Sequence, residues 1–417
     1  MLDGGGKVTC WGYNQYGQLG DGTTKDRLSP VAVSGLSSGV SGIAAGGVHT
    51  CALLDKGAAE CWGNNLYGQL GDGKTGQSQP SPVAVSGLPG GVRAIAAGGS
   101  ANFFGDTCAL LDTGGAECWG QNIHGELGDG TTTERHAPVP VSGLSSGVSA
   151  IAPSVGLGFP FTCALLDSGR VKCWGDNLFG ELGDGTTTER HTPVAVAGLS
   201  TVKGIAAGGD HACALLSSGV VECWGANGYG QLGDGTTTIR HTPVAVSGLS
   251  DVQAISAGGS HTCALSSSGG VVCWGANSFG ELGDGTTTNR HTPVAVSGLS
   301  SGVDAIAAGS DYTCALLATG GFKCWGSNIY GQLGNGSRTD DLDVAVRGRG
   351  VVTAADFRCG SCSIERAPGT RIALTEHPAK GWVFKRWEGA CRGRAHRCTL
   401  VLKRRVTWVT ARFSKHR

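Results

Sequence analysis

The sequence predicts an all-β chain: a seven-bladed β-propeller with an incomplete first blade, followed by a small β domain. Three observations carry this. The 417 residues include 74 glycines and only 15% charged residues, and that much glycine disfavours helices, where each interior Gly costs about 1 kcal/mol relative to Ala. The block C-W-G recurs at Cys10, Cys61, Cys118, Cys173, Cys223, Cys273 and Cys324, at intervals of 51, 57, 55, 50, 50 and 51 residues. A period near fifty belongs to solenoids and propellers. Within one period, "TVKGIAAGGDHACALLSSGVVECWGANGYGQLGDGTTTIRHTPVAV" has short apolar runs separated by Gly, Asn and Asp and no sustained helical periodicity.

The elements of a blade follow in order. "GIAA", "CALL", "VVECW" and "PVAV" give about four strands per repeat, the content of a propeller blade. All seven repeats have the last strand, if "VPV" at Val139 and "DVAV" at Asp343 are counted, but only six have the first two. The chain starts inside a hairpin, since "MLDGGGKVTCWG" matches "LLDSGRVKCWG". The expectation is that about twenty residues, with a signal peptide ahead of them, precede this start; otherwise the ring has an unpaired edge.

The cysteines follow from the hairpins. "CALL" and "RVKCW" flank Asp167-Ser168-Gly169, and a hairpin centred on Ser168 sets Cys163 opposite Cys173. Facing residues at a non-hydrogen-bonded position have Cα atoms ~4.5 Å apart, within disulfide reach. The same spacing pairs Cys51 with Cys61, Cys108 with Cys118, Cys213 with Cys223, Cys263 with Cys273 and Cys314 with Cys324, leaving Cys10 without a mate. Two ligands per hairpin do not make a tetrahedral zinc site. Reduced cysteine acting as a small buried hydrophobe is the plain alternative. Disulfides imply an oxidising compartment, hence a secreted or cell-surface protein.

"GGDHACALLSSGVVECWGANGYGQLGDGTTTIRHTPVAV" resembles the regulator-of-chromosome-condensation repeat, in the cysteine-stapled form typical of secreted bacterial proteins. The resemblance covers residues 1–346 and implies a seven-bladed propeller. It implies no single activity, because relatives include a guanine-nucleotide exchange factor, a plant ultraviolet receptor and a secreted enzyme inhibitor.

Comparing repeats separates framework from free positions. Asn14, Asn65, Asn122, Asn177, Asn227, Asn277 and Asn328 share one slot, which suits a left-handed turn. Asp21, Asp72, Asp129, Asp184, Asp234 and Asp284 precede Gly, which suits a turn better than a calcium loop. Arg-His pairs at Arg135, Arg190, Arg240 and Arg290 recur, as do the C-W-G tryptophans, so both read as framework. The slot two residues before the first hairpin cysteine varies: His49, Asp106, Phe161, His211, His261 and Tyr312. Ahead of it lie two insertions, "GGSANFFGDT" from Gly98 and "PSVGLGFPFT" from Pro153. Insertions at equivalent points emerge on one face. Phe103, Phe104, Phe159 and Phe161, with that slot, are the candidate surface for a protein or glycan partner. Alternatively, these phenylalanines turn inward as plugs.

From Arg347 onward the texture changes. This stretch holds seventeen Lys+Arg and four Asp+Glu, leaving fifteen and twenty-eight in residues 1–346. Its alternating runs "TRIAL", "CTLVL" and "VTWVTARF" predict a small β domain over residues 347–417. With "CGSC", "GWVFKRWEGAC" and "VTARF" it resembles the divergent internalin B-type repeat of bacterial surface proteins. Cys359 with Cys362 and Cys391 with Cys398 close two loops, with a four-cysteine zinc site as the other reading. Arg392, Arg394, Arg397, Lys403, Arg404 and Arg405 form a basic patch suited to an anionic polymer or surface, or to the acidic propeller itself; a solvated charge run is the plain reading. No G-x-S-x-G, H-E-x-x-H or phosphate loop occurs, so no catalytic residue, resident metal or cofactor is expected. No apolar run reaches membrane-spanning length. The expected protein is a monomeric, non-catalytic binding protein. An intracellular exchange factor for a small GTPase, its tail on nucleic acid, is the rival.

Overall fold

The computed structural model describes residues 1–100, 105–156, 159–355, 357–403 and 406–416. Contacts divide the chain into Met1–Gly326 and Ser327–Arg417, and among the described residues every regular element of both is a β-strand.

In the first unit, five four-stranded antiparallel sheets follow one another, flanked by a two-stranded sheet at the start and a three-stranded one at the end. These are blades 1 to 7. Blade 5 shows the plan: Val202–Ala207, His211–Leu216, Val221–Gly225 and Arg240–Ala245 pair in sequence order. The first strands of successive blades from 2 to 7 lie side by side and line the axis. The fourth strands, half-buried to exposed, form the outer edge. Blade 1 has only its last two strands, Thr9–Gly12 and Arg27–Ala32. It meets blade 7 through Trp11, which stacks on Phe322 with ring centres 5.1 Å apart.

The hairpin register is the one the spacing requires. Cys163 faces Cys173, and the other five pairs face each other likewise. Their Cα separations of 4.0–4.1 Å accompany disulfide bonds in all six blades, and Cys10 is free.

One handshake repeats at the seams. The indole of each C-W-G tryptophan from blade 2 onward donates to a backbone carbonyl of the preceding blade: Trp62 to Gln18, Trp119 to Gln69, Trp174 to Glu126, Trp224 to Glu181, Trp274 to Gln231 and Trp325 to Glu281, at 2.7–3.0 Å. A threonine hydroxyl shares five of these carbonyls; in blade 5 Ala212 takes that place. The glycine two residues past each acceptor is required by contact. At Gly183, with φ of 64°, a Cβ would lie 2.8 Å from the Trp224 Nε1. Buried aliphatic residues around each indole complete the core, as Leu182, Val196 and Val202 do around Trp224.

The "DVAV" segment, expected as the outer strand of blade 7, belongs instead to the second unit. Asp340–Arg347 pairs antiparallel with Cys362–Arg366 and parallel with Val406–Lys415. Leu342 and Val344 are buried there among Leu374, Trp387 and Val409, which is why the strand belongs with that sheet. A second sheet of that unit contains Arg358–Cys359, Gly350–Thr353, Arg371–Pro378 and Arg397–Val401. Cys359 is bonded to Cys362 and Cys391 to Cys398.

Candidate functional site

The repeated polar slots hold the loops between third and fourth strands. In blade 4, Asn177 Oδ1 accepts from Leu182 N, and its Nδ2 donates to the carbonyls of Thr186 and Thr188. The slot works through its side chain. None of the asparagines has positive φ, and among the described residues Thr201 and Asp251 are the non-glycine positions that do, so the left-handed expectation is corrected. The aspartates of "GDGT" accept from a Thr two residues on and pair with Arg27, Arg135, Arg190, Arg240 and Arg290 at 2.6–3.2 Å. The histidines after four of these arginines pack on glycines of the preceding blade; a Cβ at Gly125 would lie 2.7 Å from the His191 Cα.

The variable slot before the hairpin cysteine points into the seams. His49, Asp106, Phe161, His211 and His261 are buried, and Tyr312 is partly so. His49, His211 and His261 bond through Nε2 to Thr107, Thr262 and Thr313 of the next blade at 2.8–2.9 Å. Burial lowers these imidazoles to about 4, about 3 and about 4 respectively, with His261 adding to the effect on His211. Burial first, and then Glu126, pushes the Asp106 carboxyl well above its usual range. The three histidines stitch blades together, and burial of His49, Asp106, Phe161, His211 and His261 takes these five off the surface that the sequence expectation placed them on.

Phe103 and Phe104 lie outside the described residues. The second insertion reaches beyond its own blade: Val155 bridges Gly99, and a Cβ on Gly156 would lie 3.0 Å from the Gly209 Cα and 2.9 Å from that of Gly259. Blade 4 thereby touches blades 3, 5 and 6 at one end of the axis. Phe161 is buried, the inward alternative. Phe159 stays 45% exposed; its N–H donates to Asp210 Oδ1 at 3.1 Å and its ring stands edge-on to His124 at 5.5 Å.

Acidic groups gather beside that ring. His124 Nδ1 lies 2.6 Å from Glu189 Oε2 and 3.6 Å from Asp176 Oδ1. Behind them is Glu181, fully buried. In blade 2 the matching Gln69 takes the Tyr67 N–H with its oxygen and donates its amide to Asn64 at 2.9 Å. Glu181 takes the Phe179 N–H in the same way. Its Oε1 has no partner, and neither has Glu126 Oε1 in blade 3, where Gln121 fills the slot that Asp176 fills here. Burial first, and then Asp176 and Asp210, raises Glu181 to about 8. Burial also raises Asp210, with Asp176 adding to it.

The rim around this cluster carries a feature that the sequence reading missed. Immediately after the framework asparagine, Leu66, Ile123 and Leu178 are 45%, 51% and 57% exposed in blades 2, 3 and 4, and in blade 5, where Gly228 fills that slot, the following Tyr229 is 50% exposed. The same slot holds Gln15 in blade 1 and Ser278 in blade 6. The available signal was apolar variation in a slot beside an invariant polar one.

A family model described as the RCC1-like domain matches residues 106–364, and regulator of chromosome condensation (RCC1) repeats match residues 5–53, 58–104 and 40–69. The chain belongs to the RCC1-like family. A divergent InlB B-repeat domain matches residues 341–417. The human E3 ubiquitin-protein ligase HERC2 is 34% identical over 216 residues, 50% of this chain and 4% of that protein. The ultraviolet-B receptor UVR8 of Arabidopsis thaliana is 32% identical over 193 residues, 46% of this chain and 42% of the receptor. The chain thus spans under half the length of these relatives. Among solved structures, yeast RCC1 (Prp20) bound to Kap60 superposes with a TM-score of 0.67 at 24% identity, covering 79% of this chain and 80% of that one. Human WBSCR16 gives 0.68 at 24%, covering 79% and 90%. These two likenesses concern the fold.

The RCC1-like propeller is followed by a C-terminal unit in which Arg392, Arg394, Arg397 and Lys403 are exposed; Arg404 and Arg405 lie outside the described residues. Arg392 and Lys403 border an open groove with Val401, Val406 and Trp408. Trp408 is 58% exposed. No described helix is long and apolar enough to cross a membrane.

Proposed function

We propose that this protein is a non-catalytic binding protein of the cell exterior, whose RCC1-like propeller docks a protein partner along the rim of blades 2 to 5. The observation that carries this reading is the apolar arc of Leu66, Ile123, Leu178 and Tyr229 beside Phe159. Large apolar side chains held out by rigid loops on neighbouring blades are the material of interface hot spots, and an exposed patch of this kind marks an interaction site. The six hairpin disulfides support an oxidising location. The groove between Arg392, Lys403 and Trp408 supports a second contact, with an anionic polymer or surface.

The test is site-specific photocrosslinking in the native source. A photoreactive residue at Leu178 or Ile123 is expected to give one discrete partner adduct, and the same residue at Ser278 none. Leu178→Asp with Ile123→Asp should abolish the adduct while leaving the melting temperature unchanged. Equal adducts from both sides of the rim, or none from Leu178 and Ile123, would refute the docking surface. Fully alkylatable hairpin cysteines in protein trapped at source would instead favour an intracellular exchange-factor role.

A further inference from the structure

We propose that His124, Asp176 and Glu189 form a site for one divalent transition cation of the zinc or manganese class, at the seam of blades 3 and 4. The inference does not depend on the partner reading, since the three side chains would bind an ion whatever the rim engages. His124 comes from the loop after the third strand of blade 3, and both carboxylates from the corresponding loop of blade 4. Their candidate ligand atoms lie within 4.8 Å of one another. An ion that holds its ligands at ~2.1 Å sets them ~3.0–3.4 Å apart, so the 2.6 Å and 3.6 Å separations around His124 Nδ1 bracket the required spacing.

Each donor is already aimed. The His124 backbone N–H is fixed on Glu126 Oε2 at 2.8 Å, and its ring is flanked by Phe159. Asp176 Oδ2 accepts from Leu178 N at 3.0 Å, which leaves Oδ1 toward the imidazole. Glu189 Oε1 is engaged by His191 Nε2 at 2.7 Å, which leaves Oε2 toward His124. One imidazole and two carboxylates suit zinc or manganese, whereas calcium takes six to eight oxygens.

A second observation points into the same place. Glu181 is fully buried and its Oε1 has no partner. In blade 2 the atom in the equivalent place, Gln69 Nε2, reaches Asn64 at 2.9 Å, and Asp176 fills the slot of Asn64 in blade 4. A cation held by Asp176 and Glu189 would offset the negative charge that these carboxyl groups gather at the seam. The donor set is peculiar to this seam. The His124 slot holds Tyr or Phe in the other six repeats, and the Asp176 slot holds Tyr13, Asn64, Gln121, Ala226, Ala276 and Ser327. Framework duty is therefore no reason for these residue types.

The test uses the tag-free full chain, stripped with chelator and titrated with Co²⁺ under visible absorption, then with Zn²⁺ by calorimetry. One equivalent with a Kd in the micromolar range is expected, weakened at least about tenfold in both Asp176→Asn and His124→Gln. Asn fills the Asp176 slot in blade 2, so Asp176→Asn is expected to fold, and its metal-free melting temperature checks that it does. Glu189→Gln provides an independent third variant. The proposal is overturned by the absence of saturable binding, or by a Kd that either Asp176→Asn or His124→Gln leaves unchanged in a folded protein.

Discussion

Acid should attack this propeller at its seams, and His211→Gln isolates the effect. In the folded chain the His211 imidazole is fully buried, bonded to Thr262 and lowered from 6.5 to about 3 by burial, with His261 adding to the shift. A base with a depressed folded pKa contributes stability that is intact above its unfolded value and is lost as pH falls below it. At pH 4.5 the unfolded imidazole is protonated and the folded one is not. Two pH units below 6.5 correspond to about 2–3 kcal/mol at ~1.36 kcal/mol per unit. His49 and His261, lowered to about 4, add losses of similar size. Gln keeps a neutral polar group within reach of Thr262 and removes the titration. The assay is guanidinium unfolding with disulfides intact, followed by tryptophan fluorescence at pH 7.5 and 4.5. His211→Gln is expected to lose about 2–3 kcal/mol less than the parent between the two values. Any packing cost of the substitution is common to both pH values and cancels. An identical pH-dependent loss in parent and variant would show that the seam histidine does not govern acid sensitivity.

Three other expectations concern the seams, the thiols and the tail. Trp224→Phe strips the Glu181 carbonyl of its indole donor, and Ala212 offers no hydroxyl, whereas after Trp274→Phe the Gln231 carbonyl keeps Thr262 at 3.0 Å. Chemical denaturation should show the Trp224 variant about 1 kcal/mol less stable than the Trp274 variant; equal losses would contradict the shared-acceptor account. Non-reducing thiol counting should find one reactive cysteine per chain, Cys10, reacting slowly until the protein is denatured because burial pushes its thiol up to about 11; more than one would break the pairing scheme. Full-length protein should elute from heparin at lower salt after Arg392→Glu with Lys403→Glu, and an unchanged elution position would remove the groove from the anionic contact.

The blades were legible in the sequence because the same physics is written seven times. Cys-Trp-Gly at a fifty-residue period, with a Gly-containing hairpin between two cysteines, determines strand, register and staple together, and the Cys163–Cys173 pairing follows directly. What failed was the assignment of which side a residue faces. His49, His211 and His261 varied in type, as a binding slot would, yet a variable slot can be variable packing, and these imidazoles reach threonines in the next blade. Phe159 and Phe161 are two residues apart in one insertion, yet Phe159 N is anchored on Asp210 outside the strand while Phe161 N, within it, bonds Ser154, and only the second ring is buried. "DVAV" has the alternation of an outer blade strand, but the same pattern serves Leu342 and Val344 inside another core. The Glu181–Asp176 pairing was invisible because each residue alone is an ordinary occupant of its slot. Their proximity is a property of the folded loop.

The uniform seam has an evolutionary meaning. Since six consecutive joints use the same indole-to-carbonyl bond and the same glycine clearance, a blade carries with it everything needed to be accepted by its neighbours. Unequal recombination within such a gene would insert, delete or shuffle blades without inventing a new junction. Loop tips such as 176–179 could then diverge after duplication, while the joints on either side stay interchangeable. A lineage with this architecture can try new recognition surfaces one cassette at a time.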